Sequence, residues 1–198
     1  LKALRQLADE HNCLLMCDEI QAGLGRTGKM LCCQHEDIRP DLVILGKALS
    51  GGVYPVSAVV GDEKVLSVFE PGSHGSTYGG NPLGAAVART ALSVLVDEGM
   101  VENSRELGAY ALKRLEKLTS PHVKAVRGLG LWIGIEVHEE TGGARPFCEV
   151  LRDRGLLCKE THDYVIRFAP PLMISREDLD WALEQIEAVL AEPVPAPK

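Results

Sequence analysis

Two short apolar runs, each closing on a residue able to do chemistry, constrain this chain most. Cys13-Leu-Leu-Met-Cys17 ends in Asp18-Glu19, and Asp41-Leu-Val-Ile-Leu45 ends in Gly46-Lys47. Runs this short suit strands buried on both faces better than helices. Before the first, Leu1, Leu4, Leu7 and Ala8 recur at helical spacing, with His11-Asn12 as a polar exit. Pro55 to Val60 reads as a third strand. Helix alternating with buried strand predicts an α/β sheet with both faces covered. In open sheets of that kind, ligands lie beyond the C-terminal strand ends, where Asp18 and Lys47 stand.

Further on, residues 69–82 are rich in Gly, Ser and Pro and predict a long functional loop. Pro82 can open a helix running to about Glu98, and a second helix spans about Val101 to Leu118. From Val123 the texture changes. Lys124 to Arg127, Leu131 to Val137 and Val165 to Ala169 read as strands, and Phe147 to Asp153 and Ser175 to Leu190 as helices. Ser175 with Asp178 has the spacing of a capping box, with Asp in place of the usual Glu. A boundary near residue 99 gives two domains, residues 1–98 and 99–198, with 190–198 as a frayed Pro/Ala tail.

Composition removes several classes. The 198 residues carry 21 Lys+Arg against 28 Asp+Glu, a formal charge of −7. That balance gives no general attraction to nucleic acid or anionic lipid, so neither is expected as a partner. No stretch approaches the ~20 apolar residues of a membrane span. The six cysteines form no C-x-x-C pair, and no two histidines stand at i, i+4. Reduced thiols in an intracellular protein, and no metal, are the expectation.

Gly23-Leu-Gly25-Arg-Thr-Gly28 matches the dinucleotide fingerprint, and Lys29 adds most of a phosphate-binding loop. Both matches break down on context. Met30 stands where a magnesium-binding hydroxyl belongs, and Glu19-Ile-Gln-Ala separates the strand from the first glycine. A tight turn over a packed sheet is the better reading, with a nucleotide-binding module kept as an alternative.

Asp18 and Lys47 could be a solvated pair at two strand ends. They could also be chemistry. A lysine in a dry pocket becomes nucleophilic and condenses with an aldehyde, and pyridoxal phosphate uses such a lysine together with a buried carboxylate at its ring nitrogen. Here three stretches carry a resemblance. Asp18-Glu-Ile-Gln21-Ala-Gly-Leu-Gly-Arg-Thr-Gly28 resembles the signature of fold-type I, class III (subgroup II) aminotransferases. Leu45-Gly-Lys47-Ala-Leu-Ser-Gly-Gly52 resembles their cofactor-lysine segment, and His74-Gly-Ser-Thr77-Tyr-Gly-Gly-Asn81-Pro-Leu-Gly84 their phosphate loop. Tyr54 to Val59, the Tyr78 and Gly84 variants of the loop, and Arg167-Phe-Ala-Pro-Pro-Leu172 look most like the ornithine branch of that class. The acetylornithine and 4-aminobutyrate branches are near relatives.

The resemblance implies the C-terminal half of a large, mostly parallel cofactor domain, followed by a small α+β domain. It implies pyridoxal 5′-phosphate held by Lys47, which also acts as general base and acid. Asp18 would keep the ring nitrogen protonated, Ile20 would pack on the ring, and Gln21 would bond its phenolic oxygen. Ser76 and Thr77 would bind the phosphate, and Arg167 would clamp a substrate carboxylate. The implied substrates are ornithine and 2-oxoglutarate, the assembly a homodimer, and the compartment cytoplasm or mitochondrial matrix. Because the family carries further cofactor groups before the position of Leu1, little turnover is expected of this chain alone. Another omega-amino-acid donor, or a non-catalytic partner of a complete subunit, remain as alternatives.

Overall fold

The computed structural model describes residues 1–194 and divides into two compact units. One comprises Leu1–Gly25 with Lys29–Val101; the other comprises Arg26–Gly28 with the chain from Glu102 onward.

In the first unit, α1 (Lys2–Glu10) leads to β1 (Met16–Asp18), which pairs in parallel with β2 (Leu42–Leu45). β3 (Ala58–Gly61) joins β2 antiparallel, giving a three-stranded sheet of order β1-β2-β3. A single turn, α2 (Glu63–Leu66), and the long helix α3 (Pro82–Asp97) complete it. β1 starts later than the apolar run suggests, because the Cys13 N–H still belongs to the helix end, bonding the Ala8 carbonyl at 2.8 Å. Asp41 Oδ2 ties helix to sheet, accepting Arg5 Nη1 at 2.6 Å and the Leu15 N–H at 2.8 Å. At α3, Pro82 fills the first turn and Asn81 Oδ1 accepts the Gly84 N–H at 2.8 Å, a side-chain cap.

The expected covering of both sheet faces is corrected by this unit. Leu4, Leu7, Leu14, Met16, Val59 and Val60 are all about half exposed or more, and α1 buries no residue. Hydrophobic periodicity reports that a face is apolar; it does not supply the layer that covers it.

The second unit has a full core. α4 (Met100–Leu115) runs into it, and β4 (Val123–Leu129), β5 (Trp132–Val137), β6 (Lys159–Thr161) and β7 (Val165–Phe168) form an antiparallel sheet of order β4-β5-β7-β6. α5 (Arg145–Asp153) and α6 (Arg176–Ala191) complete its elements. Alternate residues Ile133, Ile135 and Val137 turn inward on β5 and meet Phe147, Leu151, Leu179, Leu183 and Ile186, all essentially inaccessible. Arg114 of α4 grips Glu187 of α6 through two hydrogen bonds, 2.6 and 2.7 Å, a bidentate fork. Ser175 Oγ accepts the Asp178 N–H at 3.0 Å, as the spacing predicts. The Asp178 carboxylate, however, accepts the Ser175 hydroxyl itself at 2.7 Å. β6, short and polar, was not foreseen. α6 ends at Ala191 with Leu190 fully buried, and residues 195–198 of the expected tail lie outside the described residues.

No helix among the described residues is long and apolar enough to cross a membrane.

Candidate active site

Parallel pairing sets the first part of the site. Asp18 stands level with Ile44, and the Glu19 N–H donates to the Ile44 carbonyl at 3.0 Å. Both strands therefore end on the same edge, with Lys47 three residues beyond that level. Asp18 itself is exposed, and its Oδ1 accepts the Ile20 N–H at 3.0 Å. That bond turns the chain at Ile20, so the extended backbone of β1 does not continue through it. It packs instead against Gly46, where an added Cβ would lie 3.5 Å from Ile20 Cγ1 and Cγ2. Gln21 follows in the turn, half-buried.

Lys47 is the strained residue of this edge. Its φ is +44°, the left-handed region that a side chain makes costly, by about 1–2 kcal/mol. A 3₁₀ turn, Lys47–Ser50, follows, closed by Gly51 at φ +57°. The ammonium is exposed and has no hydrogen bond or ion pair among the described residues. Lys47 also lines an open groove of ≈ 980 Å³ within this unit, with Tyr54, Tyr78, Asn81 and Arg89. Of these walls, Arg89 alone lies outside the stretches singled out from the sequence.

Ser76 and Thr77 lie in the exposed loop before α3 and are not among the groove's walls. Ser76 Oγ accepts the Gly79 N–H at 2.9 Å, so the hydroxyl shapes the loop.

Glu19, also missed, is the buried carboxylate of the region. It is 3% exposed, and its oxygens accept the N–H groups of Cys32 at 2.7 Å and Cys33 at 2.8 Å. Alternation on a strand puts Glu19 on the face opposite Asp18, which is the signal for it.

The glycine fingerprint holds no phosphate cradle. Leu24, Gly25, Thr27 and Gly28 are buried, and the next helical turn starts only at Cys32. The peptide is a packed turn, and Arg26 to Gly28 belong to the second unit.

In that unit Arg167 sits on β7, half-buried, paired in the ladder with Gly134 of β5 and Lys159 of β6. Among the described residues no carboxylate pairs with it.

A sheet edge bearing a carboxylate and an unpaired lysine in strained backbone can hold an aldehyde cofactor and move protons. The chain belongs to the class-III aminotransferases, whose family pattern matches residues 1–190. It is 57% identical over 190 residues to the ornithine aminotransferase of Brevibacillus brevis, covering 96% of this chain and 47% of that protein. The ornithine aminotransferase of Toxoplasma gondii, crystallised with oxidised glutathione and described as partially occupied by pyridoxal phosphate, superposes with a TM-score of 0.93. It is 41% identical, with 96% of this chain and 46% of that one covered. The acetylornithine aminotransferase of Elizabethkingia anophelis gives 0.90 at 44% identity, covering 96% and 48%. The chain thus spans about half the length of the relatives it matches.

Proposed function

We propose that this chain supplies the attachment lysine, the ring-nitrogen carboxylate and an anchoring arginine of a pyridoxal-phosphate-dependent aminotransferase. The reaction moves the δ-amino group of ornithine to 2-oxoglutarate, giving glutamate semialdehyde and glutamate. One observation carries the reading: Lys47, unpaired and in left-handed backbone, on the strand edge that also ends in Asp18. Backbone strain of this kind is retained where function needs it.

The donor set fits the cofactor: a primary amine for its aldehyde, a carboxylate for its ring nitrogen, and hydroxyls for its phosphate. When bound, pyridoxal phosphate supplies the electron sink that acidifies the carbon bearing the amino group. Lys47 then removes the proton from that carbon and delivers it as general acid. Asp18 keeps the ring nitrogen protonated, and Gln21 bonds the phenolic oxygen. Ile20 supports the lysine turn through Gly46 and flanks the ring. Thr77 and Ser76 donate to the phosphate. Arg167 receives a carboxylate of the acceptor through two parallel hydrogen bonds. The active assembly is a homodimer. The name of the 57% identical relative supports ornithine as donor; that of the Elizabethkingia relative keeps acetylornithine as the rival.

The test is glutamate formation from 2-oxoglutarate by the longest product of the gene. Ornithine should serve and N-acetylornithine should not, and Lys47→Ala should abolish the signal. Turnover with N-acetylornithine alone assigns the rival donor, and ornithine turnover surviving Lys47→Ala overturns the mechanism.

A second reading has its own support, the apolar face of the first unit. Leu14 is 60% exposed and Leu4 54%. A non-catalytic partner would use that face to bind a complete aminotransferase subunit; co-purification of the two without cofactor on this chain would favour it.

A further inference from the structure

Among the described residues, the guanidinium of Arg26 has only neutral partners. Its Nη1 donates to the Leu131 carbonyl at 2.9 Å and to the Pro170 carbonyl at 2.6 Å. The Arg26 carbonyl in turn accepts the hydroxyl of Ser104, a fully buried residue, at 3.0 Å. The Leu131 N–H donates to that same Oγ at 3.2 Å. Glycines close the arrangement. A Cβ on Gly130 would lie 2.4 Å from the Thr27 carbonyl carbon, and one on Gly108 would lie 2.1 Å from that of Gly130. Arg26 is therefore seated among closely approaching backbones that leave no room for a Cβ at Gly108 or Gly130.

The seat lies next to Arg167 in the chain. Pro170 lies two residues past the end of β7, three after Arg167. Among the described residues no carboxylate pairs with either arginine. A half-buried cation such as Arg26, whose partners are neutral carbonyls, is costly. Burial first, and the charge of Arg167 second, hold the Arg26 guanidinium below its ordinary pKa range. An arrangement that costs stability in this way is useful where an anion is to be received.

We propose that Arg26 is a positioning residue for Arg167. Its Nη1, shared between the Leu131 and Pro170 carbonyls, fixes the exit of β7, and its unneutralised charge strengthens the pull of Arg167 on the carboxylate of the 2-oxo acid acceptor. This rests on the reading of Arg167 as carboxylate-binding, and the experiment separates the two.

Steady-state kinetics of the longest gene product, with both substrates varied, decides it for Arg26→Met, Arg26→Lys and Arg167→Gln. Arg26→Met should raise the KM for 2-oxoglutarate about tenfold or more, with kcat at saturating acceptor and the KM for ornithine changed by less than about threefold. Arg26→Lys keeps the charge but loses the planar guanidinium that aims Nη1 at both carbonyls, so its acceptor KM should fall between wild type and Arg26→Met. If the methionine variant does not fold, the lysine variant alone carries the test, with an acceptor KM raised about threefold or more. An acceptor KM unmoved by Arg26 substitution, while Arg167→Gln raises it, overturns the positioning role alone. Equal losses in kcat and in both KM values also overturn it, showing a merely structural residue. An acceptor KM unmoved by Arg167→Gln overturns the carboxylate reading of Arg167 and this inference with it.

Discussion

The Cys33 N–H donates to Glu19 Oε1 at 2.8 Å, and both residues are buried. With Cys32 N–H on Oε2 at 2.7 Å, the carboxylate is an acceptor at both oxygens. Glu19→Gln turns one of them into an NH₂ group facing a donor. Loss of a charge-assisted bond and an unsatisfied N–H should cost about 1.5–3 kcal/mol. Denaturant unfolding checks this against Glu116→Gln on the exposed surface of the second unit, where a change below about 0.5 kcal/mol is expected.

Gly108 and Gly130 form the tightest backbone approach. With the Gly130 carbonyl carbon 2.1 Å from where a Cβ would stand, Gly108→Ala must separate two backbones. Overpacking of this kind should cost about 1–3 kcal/mol or more. Gly75→Ala, with nothing within 4 Å, is the control and should leave the melting temperature unchanged.

Strain at Lys47 makes a sharper comparison. Glycine enters the left-handed region without penalty, whereas alanine does not. Lys47→Gly should therefore unfold at higher denaturant than Lys47→Ala, by about 1 kcal/mol, although both remove the amine. Equal stabilities would show that the backbone turn relaxes once the lysine is gone.

Thiol chemistry follows burial. Burial pushes the Cys148 thiol up to about 12, and burial with the nearby Glu19 charge pushes that of Cys33 to about 11. A thiol whose folded pKa is raised stabilises the fold below its unfolded value, about 9, and loses that contribution as pH rises toward the folded one. Stability should fall between about pH 9 and pH 12, and less so in Cys148→Ala. At pH 8, alkylation followed by peptide mapping should label exposed Cys13 and spare Cys33 and Cys148.

What could be read from the sequence was what local pattern encodes. Asp18 and Lys47 are visible because an apolar run ending in a charged residue marks a strand end, and parallel pairing then brings such ends to one edge. The helices from Pro82 and Ser175 are visible because their caps are local, Asn81 on Gly84 and Ser175 on Asp178. Arg26 is hidden because its partners, Leu131 and Pro170, are carbonyls 105 and 144 residues away. Nothing about the side chain at either position announces the bond. β6 is hidden for a different reason: Lys159-Glu-Thr161 is a polar edge strand defined only by its pairing with β7. The turn at Ile20 shows the limit of strand alternation, since one carboxylate oxygen of Asp18 is enough to end the extended backbone.

Attachment of the cofactor at Lys47 is tested most directly by reductive trapping with pyridoxal phosphate in the longest product of the gene, followed by peptide mass analysis. The added cofactor mass should fall on the peptide containing Lys47 and vanish from the map in Lys47→Ala. Label spread over exposed lysines such as Lys2, Lys29 and Lys64, with Lys47 unmodified, would contradict the assignment.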